Sequence, residues 1–114
     1  MKNKLTIMAD YCATGIWFNG ISVDIDDTEV LPRNIILLKR KLDNWQYEYE
    51  LFQMYKKNKI QMKILENSYK YNKWINQGRN IAKQLKKLVG SRFAVEYFNE
   101  KEIKRELISF GITL

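Results

Sequence analysis

The amino-acid sequence is short of the residues on which several kinds of functional site depend. Its 114 residues include no histidine, one cysteine and one proline. Histidine is the commonest general base and the commonest metal ligand in proteins, and a single cysteine can form neither an internal disulfide nor a thiolate zinc site. These absences exclude zinc sites, histidine-dependent triads and histidine-based nuclease chemistry.

Long apolar segments are missing as well. No stretch approaches the roughly 18 consecutive apolar residues of a membrane-spanning helix, and residues 1–10 carry only a short apolar run without a small-residue cleavage pattern. The lone Cys12 gives no indication of an oxidising compartment, and we expect it to be a small buried apolar side chain. We therefore expect one soluble, cytoplasmic domain over residues 1–114, without a signal peptide.

The most informative pattern is the heptad spacing of apolar residues in two stretches of the chain. Such spacing places the residues of each set on one face of a helix. It predicts helices over 33–57 and 73–89, the second of which ends at Gly90. Gly78 lies on the apolar face, which indicates the close approach of another element. The first set is Ile35, Leu38, Leu42, Trp45, Tyr49 and Phe52, and the second is Trp74, Gly78, Ile81, Leu85 and Leu88.

The segment before the first helix has the patterns of strands and turns. Residues 4–11 alternate in the manner of a strand, although the second face is only partly polar. Residues 16–18 and 21–25 flank Asn19-Gly20, a strong turn signal between strands. A first strand and a short hairpin are therefore predicted here.

The segment after the second helix predicts a strand over residues 92–98, and the apolar spacing in residues 100–110 predicts a short helix. Residues 56–71 either extend the first long helix or form a separate one. The predicted fold is α+β, with a small antiparallel or mixed sheet packed on two long amphipathic helices and a short C-terminal helix.

Charge is distributed unevenly along the chain, whose formal net charge is +7. Residues 1–31 hold two lysines against five acidic side chains, which gives −3. Residues 32–90 hold fourteen basic against four acidic side chains, which gives +10, and residues 91–114 balance four against four. An acidic N-terminal part is thus joined to a basic helical middle, and each is a candidate binding surface.

The acidic part contains Asp24, Asp26 and Asp27, in a turn-rich region that also holds Tyr11 and Trp17. Closely spaced carboxylates can bind Mg²⁺ or Ca²⁺, but this D-x-D-D spacing lacks the glycine and the distal glutamate of a calcium loop. Tyrosine and tryptophan are frequent at binding hot spots. We therefore predict that these five residues bind a basic protein partner, and we predict no metal, no cofactor and no catalytic residue.

The basic region 32–90 supports an alternative hypothesis, a nucleic-acid-binding regulator. Basic side chains off the apolar faces can neutralise phosphates, and exposed tyrosines can stack on bases. No helix-turn-helix, zinc-finger or RNA-recognition motif accompanies the charge, and the competing explanation is a solvated helix surface. The heptads are also compatible with a homodimer. The residues of the alternative are Lys39, Arg40, Lys41, Lys83, Lys86 and Lys87, with Tyr47, Tyr55, Tyr69 and Tyr71.

Four segments together resemble a family of small, largely uncharacterised bacterial proteins. They are MADYCATGIW near the start, LDNWQYEYE in the first helix, GRNIAKQLKKLVG in the second, and FAVEYF in the strand that follows. Some similar proteins are encoded beside toxins, so the resemblance implies an immunity protein that binds and neutralises a cognate toxin, a nuclease being one candidate. The resemblance supplies no catalytic residue, and the basic segment 56–70 has no match in the family pattern.

Overall fold

The computed structural model describes residues 2–55, 63–64 and 68–109 of the chain. In this part of the chain the elements are strands, two long α-helices and two short 3₁₀ helices, and residues 63–64 are α-helical as well. The strands are β1 (Asn3–Ile7), β2 (Ile16–Phe18), β3 (Ile21–Ser22), β4 (Phe93–Asn99) and β5 (Lys104–Ile108). The α-helices are α1 (Lys39–Tyr55) and α2 (Tyr69–Val89), and the 3₁₀ helices are Arg33–Leu38 and Gly90–Arg92.

The strands form one mixed sheet in the order β3-β2-β1-β4-β5. β1 is parallel to β4, and the other neighbouring pairs are antiparallel. At the centre of the sheet, Leu5 lies beside Phe18 of β2 and beside Val95 of β4. Two parallel neighbours need a crossover connection, and both α-helices lie in the connection between β1 and β4.

The core lies between one face of the sheet and the two α-helices. Successive side chains of a strand point to opposite faces, so Leu5, Ile7, Val95 and Tyr97 share one face, and all four are fully buried. Tyr97 donates its hydroxyl to the carbonyl oxygen of Ile75 in α2 at 2.9 Å. This bond identifies the shared face as the one that the helices cover.

Both predicted heptad faces are confirmed as core-facing. In the first set, Ile35, Leu38, Leu42 and Trp45 are buried, and Tyr49 and Phe52 are half-buried. In the second set, Trp74, Gly78, Ile81 and Leu85 are buried, and Leu88 is half-buried. The predicted α+β arrangement of a small mixed sheet on two long helices is therefore confirmed.

Gly78 marks the point where α2 approaches both α1 and the sheet. A Cβ atom at this position would lie 2.5 Å from Cζ2 of Trp45 and 2.7 Å from Cε1 of Tyr97. Both are shorter than any ordinary van der Waals separation of carbon atoms. The predicted close approach is confirmed, and it explains a glycine that costs about 1 kcal/mol of helix propensity relative to alanine.

The helix ends differ from the prediction in ways that local hydrogen bonds explain. α2 begins at Tyr69 rather than at residue 73, because the hydroxyl of Ser68 caps it by accepting from the N–H of Tyr71 at 3.1 Å. It ends at Gly90, as predicted, where φ is +63°. The first predicted helix begins as the 3₁₀ helix Arg33–Leu38 and continues as α1. Residues 56–62 and 65–67, on which the prediction left two alternatives, lie outside the described residues.

The predicted hairpin is confirmed as β2 and β3, although β3 is shorter than the run 21–25. Asn19 and Gly20 connect the strands with φ of +47° and +84°, the two positive values that a type I′ turn requires. β1 ends at Ile7 rather than at residue 11, because the chain turns at 10–13, where the N–H of Ala13 donates to the carbonyl oxygen of Asp10 at 3.1 Å. The predicted strand 92–98 is confirmed as β4.

The short C-terminal helix predicted over 100–110 is wrong for the described residues, since Lys104–Ile108 is strand β5. Asn99 turns the chain back by accepting with Oδ1 from the N–H groups of Lys101 and Glu102, and Ile103 has a φ of +51°. β5 then pairs with the edge of β4, with Ile108 beside Val95. The apolar residues at helical spacing were not a core face: Ile103 and Leu107 are 78% and 77% exposed.

Candidate functional site

The candidate site is a cavity of about 410 Å³ between the loop 10–14, the loop 23–27 and the side of α1 that faces these loops. We call it the acidic cavity. Four carboxylates and one ammonium group give its lining a net charge of −3, in a chain whose net charge is +7. Its charged residues are Asp24, Asp26, Lys39, Asp43 and Glu50.

The loop 23–27 presents two carboxylates because its middle residue is anchored in the core. Ile25 is buried, and the N–H of Asp27 donates to the carbonyl oxygen of Asp24 at 3.0 Å, which closes a β-turn. The side chains of Asp24 and Asp26 flank Ile25 and are exposed. The anchored turn therefore holds two negative charges at the mouth of the cavity.

The loop 10–14 forms the neighbouring wall. Its turn places Tyr11 and Cys12 at the two central positions, and Tyr11 is 74% exposed. The N–H of Cys12 donates to Oε1 of Glu50 in α1 at 3.3 Å. This bond ties the loop to α1, and Tyr11 lies two residues before Ala13, the first residue of the loop that lines the cavity.

Gln46 belongs to the α1 wall and carries an unsatisfied buried atom. The side chain is 6% exposed, and its Nε2 donates to the carbonyl oxygen of Asp10 at 2.6 Å. That bond fixes the amide orientation, because a flipped amide would place two acceptors against each other. Among the described residues nothing donates to the buried Oε1 of Gln46. The side chain of Gln46 therefore lines the cavity beside the carboxylates, while its Oε1 is buried.

The carboxylates of the acidic cavity affect the pKa of Lys39. Its ammonium group lies 3.1 Å from Oδ2 of Asp43, one helical turn further along α1. The pKa of Lys39 is raised above its usual value, chiefly by the hydrogen bond and charge of Asp43 and further by the charges of Asp26 and Asp24. Since both members of the pair are about half exposed, the pair adds little stability to the fold.

The structure brings together only some of the residues predicted to bind a partner. Asp24 and Asp26 line the acidic cavity, and Tyr11 lies next to it on the loop 10–14. Asp27 is half-buried and is not part of the lining. Its carboxylate accepts from the N–H of Glu29 at 3.2 Å, so its contacts are those of a turn-forming residue.

Trp17 lies on the face of the sheet opposite to the helices. In register it is beside Thr6, whose hydroxyl donates to Glu96 on that same face at 3.1 Å. Trp17 is half-buried, and its indole N–H donates to the carbonyl oxygen of Met8 at 2.9 Å. The five predicted residues therefore do not form one continuous surface.

Sequence reasoning missed the contribution of α1 to the cavity. Asp43, Gln46 and Glu50 follow each other at spacings of three and four, which places them on one face of the helix. This spacing is visible in the sequence, but the apolar heptad of the same helix is the more prominent pattern. Only the position of the loops shows that this polar face lines a cavity.

The expectation for Cys12 is wrong. The thiol is exposed rather than buried in an apolar environment. The cause is the turn at 10–13, in which Cys12 has a φ of +59° and its side chain is directed to solvent rather than to the core.

The basic surface of the alternative hypothesis is smaller than the sequence indicated. Lys86 is buried, and its ammonium donates to the carbonyl oxygen of Phe93 at 2.8 Å. Burial lowers the pKa of Lys86, with a smaller effect from Lys2. Tyr71 is also buried, and the side chain of Tyr55 lies outside the described residues. The members that remain exposed are Lys39, Arg40, Lys41, Lys83, Lys87, Tyr47 and Tyr69.

The acidic residues of the described ranges do not form a metal-binding cluster. No group of three or more acidic or cysteine side chains there is close enough together to hold a metal ion. In the same ranges, no helix has the length and apolar character needed to cross a membrane.

Comparison with known proteins places the chain in a family. No curated protein and no solved structure matches it. Residues 3–100 match the model of a family described as Serratia CdiI immunity protein-like. The matched region holds both α-helices, strands β1 to β4 and every residue of the acidic cavity. The resemblance seen in the sequence is thereby confirmed: the chain belongs to the Serratia CdiI immunity protein-like family.

Proposed function

We propose that this protein binds a cognate bacterial toxin in the cytoplasm and neutralises it by covering part of its surface, without catalysing a reaction. Membership of an immunity protein-like family is the observation that carries this proposal. Such a role needs a stable fold and a complementary surface rather than reactive groups. The absence of histidine from the sequence agrees with it, since the commonest general base is missing.

The acidic cavity and Tyr11 form the proposed toxin-binding surface. A net charge of −3 on the lining of one cavity, in a chain of net charge +7, is suited to a basic partner such as a nuclease that must hold phosphates. Complementary charge accelerates association and selects the partner. Tyr11 adds an exposed aromatic ring of the kind that is enriched at binding hot spots.

The other two predicted residues have different parts in this proposal. Asp27 supports the surface indirectly, because its turn holds Asp24 and Asp26 in place. Trp17 lies outside the surface, on the helix-free face of the sheet. A toxin seated on the acidic cavity would not contact it.

The direct experiment is co-expression with each candidate toxin domain encoded beside this gene in its genome. We expect the protein to restore growth and to co-purify with the toxin domain as a stoichiometric complex that survives nuclease treatment. Failure both to protect and to form a complex would contradict the proposal. Recovery of nucleic acid alone, lost on nuclease treatment and weakened steeply by salt, would favour the basic region 32–90 instead.

A further inference from the structure

We propose that the acidic cavity receives an arginine side chain of the partner toxin, whose guanidinium group donates to Oε1 of Gln46 and to the carboxylates of Asp24 and Asp26. This inference rests on the proposed toxin-binding function and adds to it the chemistry of the group that enters the cavity.

The first argument is the unsatisfied acceptor of Gln46. A buried polar atom without a partner costs on the order of 1–3 kcal/mol, and such atoms are rare in native structures. Since Nε2 of Gln46 is held by Asp10, the side chain cannot rotate to satisfy Oε1 without losing that bond. A hydrogen-bond donor that enters the cavity removes the penalty. Oε1 lies beneath the solvent-accessible surface, so the entering guanidinium group has to displace part of the cavity lining to reach it.

The second argument is that only some carboxylates of the acidic cavity already have hydrogen-bond partners. Asp43 is paired with Lys39, and Glu50 accepts from the N–H of Cys12. Among the described residues, no donor forms a hydrogen bond with the carboxylate of Asp24 or of Asp26, and both interact with Lys39 only through its charge. Two carboxylates of the lining are therefore left for a ligand, in addition to Oε1 of Gln46.

The third argument is the spacing of the carboxylates that line the acidic cavity. The acidic groups of the described ranges are too far apart to hold a metal ion together, so they do not suit a compact cation. A guanidinium group is planar and delocalised, and it presents five N–H donors in a fixed fork, whereas an ammonium group is a compact point charge. The cavity of about 410 Å³ holds several times the roughly 30 Å³ that one water molecule occupies. Spread acceptors in a cavity of this size favour arginine over lysine.

The probe is N-acetyl-arginine amide, titrated into the isotope-labelled full chain and followed by NMR. We expect saturable shifts of the Gln46 side-chain amide and of the loops 10–14 and 23–27. N-acetyl-lysine amide and the uncharged N-acetyl-citrulline amide serve as comparisons. The double variant Asp24→Asn/Asp26→Asn should weaken binding of the arginine probe by about tenfold, because charge-assisted hydrogen bonds are roughly twice as strong as neutral ones. Glu29→Gln is the matched control: this carboxylate is exposed in the same segment but does not line the cavity.

Two results would overturn the inference: no shift of the Gln46 amide on saturation, or equal binding of the arginine and lysine probes. Lys39→Met gives an independent variant, because removal of the cation that competes for the carboxylates should tighten binding of the arginine probe. An unchanged or weaker affinity of Lys39→Met for the arginine probe would count against the arginine site.

A second arm uses the toxin domain and separates the two proposals. If the toxin binds the wild-type protein and Asp24→Asn/Asp26→Asn equally well, the arginine site is wrong while the toxin-binding function stands. If the arginine probe binds in the cavity but the toxin domain does not bind the protein, the toxin-binding function fails while the arginine-selective cavity stands.

Discussion

Trp45 of α1 and Trp74 of α2 each donate an indole N–H to the main-chain carbonyl oxygen of the other, at 2.9 and 2.8 Å. Their rings stack with centroids 4.8 Å apart and an interplanar angle of 7°. Both residues are almost fully buried. The reciprocal pair fixes the rotation of α1 about its own axis, and the next residue, Gln46, is thereby directed toward the loop 10–14.

Replacing Trp74 with phenylalanine tests this pair. The variant keeps an aromatic ring but leaves the carbonyl oxygen of Trp45 without its indole donor. We expect Trp74→Phe to lose about 2–3 kcal/mol of unfolding free energy, from the unpaired buried acceptor and the smaller ring. Trp17→Phe is the control, because Trp17 also donates to a carbonyl oxygen but is only half-buried. If Trp74→Phe and Trp17→Phe lose the same unfolding free energy in urea, the reciprocal hydrogen bonds add no stability of their own.

Gly78→Ala tests the close approach of α2 to Trp45 and Tyr97. The added methyl group would meet ring atoms of both residues, and overpacking of this kind costs about 1–3 kcal/mol. We therefore expect net destabilisation in thermal or urea unfolding, although alanine is the better helix former. Asn80→Ala, at an exposed position of the same helix, should instead be neutral or slightly stabilising. A stabilised Gly78→Ala protein would mean that the helices and sheet are further apart than described.

The ion pair between α2 and β5 predicts a pH dependence of stability. Nε of Arg79 lies 2.7 Å from Oε1 of Glu106, and this hydrogen bond is the main cause that lowers the pKa of Glu106 from 4.5 to about 2. A carboxyl whose pKa is lowered in the folded state stabilises the fold above its unfolded pKa, and that stabilisation is lost as the pH falls through the folded value. We expect Glu106→Gln to lose about 2 kcal/mol at pH 7.

The difference between the wild-type protein and Glu106→Gln should shrink between pH 4.5 and 2, as measured by urea unfolding at a series of pH values. Glu102→Gln is the control, because Glu102 is exposed in the adjoining turn, and it should show little difference at any pH. A Glu106→Gln difference that stays constant down to pH 2 would contradict the assignment.

Ile103 predicts a stabilising substitution. It is a β-branched residue with φ of +51° and a side chain that is 78% exposed, so it carries the backbone penalty of the left-handed region without burying much surface. That penalty is roughly 1–2 kcal/mol for residues with a Cβ atom, and glycine avoids it. We expect Ile103→Gly to raise the free energy of unfolding by up to about 1 kcal/mol, and Ile103→Ala, which keeps the Cβ atom, to raise it less. A Gly variant less stable than the Ala variant would refute this reading of the β4–β5 turn.

The parts of the fold that the sequence predicted are those that depend on local periodicity. The heptads predicted α1 and α2 because 3.6-residue periodicity directly reports a buried helix face, and Asn19-Gly20 predicted the hairpin because the turn itself requires positive φ. β5 was missed because its conformation depends on pairing with the edge of β4, which is a non-local contact. That pairing places Ile108 beside Val95, in the core.

Only those parts of the candidate site that depend on neighbouring residues in the chain could be predicted from the sequence. Asp24 and Asp26 are acidic neighbours in one turn and could be found from the sequence. Trp17 is close to them in the chain, but its position in a strand sends its side chain to the other face of the sheet. Gln46 was missed because its importance lies in an unsatisfied atom, a property that depends on which groups surround it in three dimensions.

The central claim, that the acidic cavity binds the toxin, is tested most directly by association kinetics with an immobilised toxin domain at low and at physiological salt. Asp24→Lys/Asp26→Lys reverses the two mouth charges, and Glu29→Lys makes a reversal outside the lining. We expect the double variant to lower the association rate constant by about tenfold at low salt and by less at higher salt, as for steered association. Glu29→Lys should change it far less. Equal association rate constants for the wild-type protein and the double variant at both salt concentrations would contradict the claim.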